Sequence, residues 1–216
     1  ITGQNKVLPL KDPPNVFINS HFTEADFIAH GQSGKYLAMQ AVDGSLLTNK
    51  IEVNIQEKQG ALWSDISQDV LSISVINRYE KGEPALAWIK GIGIKKGAVA
   101  SSVAHDSHNI VAVGTSPIEM AKVVNELTRI GGGIAVSNEK DLCSLALPFG
   151  GIMSNLDIKT VSKAYQDLSN EVKSMGSPLE APFMTLSFMS LLVIPHLKLG
   201  DKGLFDVDSF SFVPTK

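Results

Sequence analysis

Apolar residues recur at every second position through much of the first half of this chain. That period of two dictates extended strands, because a helix needs apolar residues three and four apart. Ile51, Val53 and Ile55 alternate with Glu52, Asn54 and Gln56, which gives a strand with one face in water. Leu71, Ile73 and Val75 alternate with Ser72, Ser74 and Ile76, so this strand is expected to be covered on both faces. Residues 36–42, 85–92, 98–103 and 109–113 read as further strands, parted by Gly, Asp or Pro turns. After residue 115 the period lengthens. Ser116-Pro117-Ile118-Glu119 has the form of a capping box with proline at the first helical position. Met120, Val123, Val124 and Leu127 then line one face, and Gly131-Gly132-Gly133 ends the segment. A second helix is expected after Asp157, with Ile158, Val161, Tyr165, Leu168, Val172 and Met175 on its apolar side and Gly176-Ser177-Pro178 as its stop. Residues 133–136 and 142–147 look like a hairpin around Ser137-Asn138-Glu139, and Thr23 caps a short helix near the start. The expectation is an α+β fold with mainly antiparallel β-sheet packed on two or three long helices. Residues 1–216 form one domain, or two lobes meeting near residue 115.

Several function classes are set aside by composition. A formal charge of −3 over 216 residues lacks the basic stripe of a nucleic-acid binder, and Lys90, Lys95 and Lys96 read as a solvated strand end. The single cysteine, Cys143, excludes an internal disulfide framework and any multi-cysteine zinc site. Its place in an apolar run predicts a buried, inert thiol, in keeping with a cytoplasmic setting. The longest apolar run, residues 183–194, carries Thr185, Ser187 and Ser190 and is shorter than the roughly 20 residues a membrane helix needs. The polar N-terminus is unlike a signal peptide, and a start on Ile1 suggests a processed or trimmed chain or a fragment.

His105-Asp106-Ser107-His108-Asn109 is the place where histidines crowd together: two of the chain's five fall within four residues, among a carboxylate, a hydroxyl and an amide. Two expected strands bracket this polar knot, and burying it unsatisfied would be costly. His105 and His108 are candidates for general acid–base work, since an imidazole titrates near neutrality. They are candidate metal ligands only if a turn at Asp106-Ser107 brings them to one side. Asp106 would then orient an imidazole. Ser107 lacks the elbow pattern of a hydrolase nucleophile, and Asn109 serves equally as a turn former or a ligand contact. Without function, the same residues make a hydrogen-bonded loop tying strand ends together. Gly91-Ile92-Gly93 is not a dinucleotide fingerprint, and Gly150-Gly151 beside Pro148 forms a tight turn. Arg78 either clamps a carboxylate or caps the sheet edge. His21, His30 and His196 stand alone and are expected to be bland.

Four segments together carry a resemblance. Residues 97–115 around the His105–Asn109 knot, Leu147-Pro148-Phe149-Gly150-Gly151-Ile152-Met153-Ser154, Pro182-Phe183-Met184-Thr185-Leu186-Ser187-Phe188, and Asp201-Lys202-Gly203-Leu204-Phe205-Asp206-Val207 resemble the C-terminal region of bacterial adenine deaminases of the amidohydrolase superfamily. The resemblance implies hydrolysis of adenine to hypoxanthine and ammonia in purine salvage. It implies a divalent metal pair, manganese or iron, held by an N-terminal barrel that this chain lacks, so that the isolated chain is inactive. It also implies a cytoplasmic homo-oligomer, with the barrel and adenine as partners and neither nucleic acid nor membrane involved. His105, Asp106, Ser107, His108 and Asn109 would face the barrel mouth and contact substrate, with His105, Asp106 and His108 as the catalytic candidates. Two other readings compete: a non-catalytic structural or oligomerisation module docking through residues 183–194, and an independent metal hydrolase using His105 and His108.

Overall fold

The structure, a computed structural model, describes residues 15–18 and 20–216; the polar start of the chain lies outside them. In chain order the strands are β1 (Ala29–His30), β2 (Gly34–Ala41), β3 (Thr48–Ile55), β4 (Glu57–Lys58), β5 (Ala61–Leu62), β6 (Val70–Ile76) and β7 (Ala85–Lys90). They continue with β8 (Ala98–Ser101), β9 (Ile110–Gly114), β10 (Gly133–Ser137), β11 (Leu142–Ala146), β12 (Leu197–Gly200), β13 (Gly203–Asp206) and β14 (Ser211–Phe212). The helices are α1 (Pro117–Ile130), α2 (Ile158–Ser174) and α3 (Pro182–Ser187). Eight strands form one sheet in the order β11-β10-β8-β9-β6-β7-β2-β3, antiparallel throughout except for the parallel pair β2 and β7. This is the expected α+β class, although α3 is a short helix and not a long one.

Period-two alternation sorts the sheet's side chains onto two faces. Val99, Val111, Val113, Ile134 and Val136 pack with Leu168 and Val172 of α2, Phe183 and Leu186 of α3, and Leu197 and Leu199 of β12. Their strand neighbours Ala98, Ala100, Ala112 and Ala135 face the other way, toward Met120, Val123, Val124 and Leu127 of α1. Small residues on that face let α1 lie close: a Cβ at Gly114 would sit 2.6 Å from the Met120 side chain. The four α1 side chains are each fully buried, contributing about 1.5–3 kcal/mol apiece. Farther along the sheet, the small sheet β1-β5-β4 helps enclose Tyr36, Val53, Ile55, Leu62 and Trp88. Strands β8 and β10, from opposite sides of residue 115, pair directly within the one sheet.

Caps and ends differ in detail from the sequence pattern. Asp157 caps α2 by accepting from the Lys159 and Thr160 backbone N–H groups, and Thr23 starts the short turn Glu24–Phe27 with Asp26. The capping box expected at Ser116 does not form. Glu119 turns inward to receive the Ser137 hydroxyl of β10, a buried contact that outcompetes the exposed backbone. Cys143 is exposed, because β11 is the sheet's edge strand and only Leu145 of it is buried. Most of the apolar run 183–194 is spent inside the chain: Phe183, Leu186, Met189 and Leu191 are buried, while Met184 and Val193 remain exposed.

Lys198 of β12 is fully buried, its Nζ donating to the Leu46 carbonyl at 2.9 Å. Burial pulls its ammonium down from 10.5 to about 8. The unfolded chain therefore holds this proton more tightly, and stability rises with pH as it climbs from about 8 to 10.5. Lys198→Met should raise unfolding free energy at pH 7 by about 1–3 kcal/mol, a gain that fades above pH 10. Urea denaturation at the two pH values checks this; a loss at pH 7, or an equal gain at both, contradicts it.

Candidate functional site

The polar knot is the connection of the β8–β9 hairpin. Strand pairing ends at Ser101↔Val111 on one side and Ile76↔Ile110 on the other, so residues 102–109 leave the sheet at one of its ends. A tight return is enforced by the His108 N–H donating to the Ala104 carbonyl at 2.7 Å and by His108 taking φ 52°, the left-handed region. Asp106 and Ser107 project into solvent, His105 and His108 are half-buried, and Asn109 is buried. The two imidazole rings meet edge to face with centroids 5.7 Å apart, so the loop does what a straight strand would not: it brings both histidines to one side.

Segments distant in sequence hold the loop. From α3 and the turn that follows it, the Ser187 carbonyl receives the His105 N–H at 2.9 Å, Phe188 stacks on the His105 ring at 4.9 Å, and the Ser190 hydroxyl donates to the His105 carbonyl at 3.2 Å. From the turn closed between Phe149 and Met153, the Gly151 carbonyl receives the Ser102 hydroxyl at 2.6 Å, and that hydroxyl accepts from Gly133 N–H at 2.7 Å. From the end of β6, Arg78 N–H donates to the Asn109 side chain at 3.4 Å and the Tyr79 hydroxyl donates to the Ser107 carbonyl at 2.7 Å. Three of the four segments that looked familiar in sequence thus converge on one sheet end. The fourth reaches it through Asp201, which accepts from Asn77 at 2.9 Å.

Among the described residues Arg78 clamps no carboxylate, and being buried it caps no exposed edge. Its guanidinium is buried between the rings of Phe17 and Tyr79, with 4.7 Å to each centroid, and Nη2 donates to the Tyr79 hydroxyl at 2.9 Å. Cation–π contacts of this kind contribute about 0.5–2 kcal/mol each. Beside it His108 sits below its usual 6.5: burial is the main cause, the charges of His105 and Arg78 add to it, and Asp106 opposes them. At neutral pH His108 is therefore a neutral imidazole, able to accept one hydrogen bond or proton and donate another. A cleft of about 140 Å³ between the β2–β3 turn and α3 shares Phe188 with the loop, its other walls including Leu46, Met184 and Thr185.

Elsewhere, candidate residues stay apart from this site. His30 Nδ1 meets the Gly60 carbonyl at 3.1 Å and His196 pairs with Asp208 at 2.6 Å. Gly91 and Gly93 present their N–H groups to the Asp69 carboxylate, so that glycine pair already cradles an acid of its own chain. Among the described residues no three His, Cys, Asp or Glu side chains group to hold a metal ion, so this part of the chain does not fit a metal pair. No helix among them is long and apolar enough to cross a membrane. The supporting ring of Phe188 and the role of Phe17 and Tyr79 escaped sequence reasoning. Arg78 following an alternating strand was the one signal available.

Comparison with known proteins gives the family of the chain. The profile of the adenine deaminase C-terminal domain family matches residues 45–211. An adenine deaminase of Methanosarcina barkeri is 48% identical over 182 residues, 84% of this chain and 33% of that protein. One of Sulfurovum is 47% identical over 211 residues, covering 95% of this chain and 38% of the relative. One of Dehalococcoides mccartyi is 42% identical, covering 98% and 38%. The chain spans about a third of the length of the curated relatives it matches, 33% to 38% of the three named.

Proposed function

The chain belongs to the adenine deaminase C-terminal domain family, and from that premise we propose that it closes the active site of an enzyme hydrolysing adenine to hypoxanthine and ammonia. One observation carries this: the segments at residues 102–109, 149–153 and 182–190 converge on an imidazole pair open to solvent at one end of the sheet. Such an arrangement has its purpose where a second body covers it. On this reading the chain acts as one domain, and the covering body is the amidohydrolase barrel that accounts for the remaining length of the relatives. A divalent metal pair, manganese or iron, belongs to that barrel. The assembly is a homo-oligomer working in the cytoplasm.

The chemistry available to this chain is positioning and proton handling. Adenine presents ring nitrogens that accept and an amino group that donates hydrogen bonds. A neutral His108 and the neighbouring His105 ring suit both edges. Exposed Asp106 and Ser107 add an acceptor and a hydroxyl, while Asn109 is engaged with Arg78 and holds the loop. An independent metal hydrolase built on His105 and His108 would need further ligands, and the described residues group none around them.

Ammonia release from adenine should be at background for the 216-residue chain alone and should appear when the chain is joined to the barrel. Turnover by the isolated chain defeats the proposal that the catalytic centre lies elsewhere. Equal turnover by the barrel with and without this chain defeats the proposal that the chain completes the site.

A further inference from the structure

We propose that Arg78 is the positioning residue of the His105–Asn109 loop: it clamps Ser107 and Asn109 through Tyr79 and through its own backbone N–H, and it presents to His108 a positive charge with no acid partner among the described residues. The inference deepens the proposed function, since it concerns the same loop, but its evidence is separate.

The contacts form a continuous path. Arg78 Nη2 donates to the Tyr79 hydroxyl, which donates to the Ser107 carbonyl, while Arg78 N–H donates to the Asn109 side chain. His108 lies between the two clamped residues, in the left-handed conformation that an L side chain seldom takes unaided. Strong fixation on both flanks is what such a residue requires.

No acid among the described residues neutralises the guanidinium. Its Nε and Nη1 are sealed from solvent without a hydrogen-bond partner among the described residues, and the His108 Nδ1 is in the same condition. Burial of those atoms leaves a soluble anion no access, and the cation is instead held by the faces of Phe17 and Tyr79 and by the bare backbone of Gly151. The charged or titratable groups facing His108 are His105 and Asp106 on its own loop and Arg78 and Tyr79 from the end of β6. Asp201, the acid that the neighbouring hairpin brings to this end, is engaged by Asn77. The repulsion from Arg78 is therefore unquenched from the β6 side, and Asp106, exposed to water, offsets it weakly.

Histidine-selective NMR titration of the 216-residue chain tests both halves without reference to deaminase activity, so failure of the adenine assignment leaves this test intact. In Arg78→Gln the His108 midpoint should rise by about one pH unit, and Arg78→Lys should return it toward the wild-type value. Identical midpoints in all three proteins overturn the electrostatic role. Tyr79→Phe keeps both rings and the charge but cuts the relay to Ser107. Exchange of the His108 amide, which donates to Ala104, should then accelerate about tenfold. Unchanged exchange overturns the clamp, and this arm stands if Arg78→Gln fails to fold.

Discussion

In the intact enzyme, His108→Ala is expected to lower kcat/KM for adenine by about 10²- to 10³-fold, the range ordinary for losing a positioned proton-transfer group. The imidazole is neutral at working pH because burial, His105 and Arg78 all disfavour its protonated form. It is held in a left-handed conformation by contacts from three other segments. A loop built only to join two strands would not require that degree of fixation. If His108 handles a proton, the loss falls mainly on kcat; if it only binds the purine edge, KM carries the change. His105→Ala removes the ring stacked on Phe188 and should cost less, about tenfold, through misplacement of its neighbour. Steady-state ammonia release decides the matter. Wild-type kinetics in the His105, Asp106 and His108 alanine variants alike would leave the loop a scaffold.

Gly151→Ala should destabilise the folded chain by about 2–5 kcal/mol, counting left-handed strain and overpacking together. Gly151 sits at φ 73°, and a Cβ there would lie 2.1 Å from Arg78 Nη1 and 2.8 Å from the Phe17 ring. Neither neighbour is free to give. The arginine is fixed by Tyr79 and the two rings, and Phe17 is also pressed against Gly132. Displacing the turn would in addition pull the Gly151 carbonyl from the Ser102 hydroxyl. Urea denaturation measures the loss, and a change below about 0.5 kcal/mol would mean that the packing around Arg78 is looser than described. Gly150→Ala is the control, since a Cβ there meets only the Ile152 side chain at 3.7 Å; it carries the φ cost alone, about 1–2 kcal/mol.

How much of this was legible beforehand differs by element. Strands β3, β6 and β9 and helices α1 and α2 follow directly from the apolar period, because period is a property of consecutive residues and survives any tertiary arrangement. Boundaries shifted by a few residues where pairing stopped before the apolar run did, as at Ser101. Cys143 was misjudged for a related reason. An apolar neighbourhood in sequence does not say whether a strand lies inside a sheet or at its edge, and β11 is an edge. The capping box at Ser116 failed because Glu119 found a buried partner on a strand later in the chain, a choice that local pattern does not contain.

For the candidate site the division is sharper. Sequence alone determined that a polar knot joins two strands, and its composition left proton handling, hydrogen bonding and metal binding as the chemistries open to it. Only the tertiary structure decided that both imidazoles lie on one side, that Phe188 underlies one of them, and that the charge of Arg78 acts on the other with no acid partner among the described residues. Those facts depend on contacts between residues tens of positions apart, such as Arg78 with Asn109 and Ser102 with Gly151. Sheet register and helix packing set such contacts. They follow from the balance of the whole core, and no short stretch of residues encodes them.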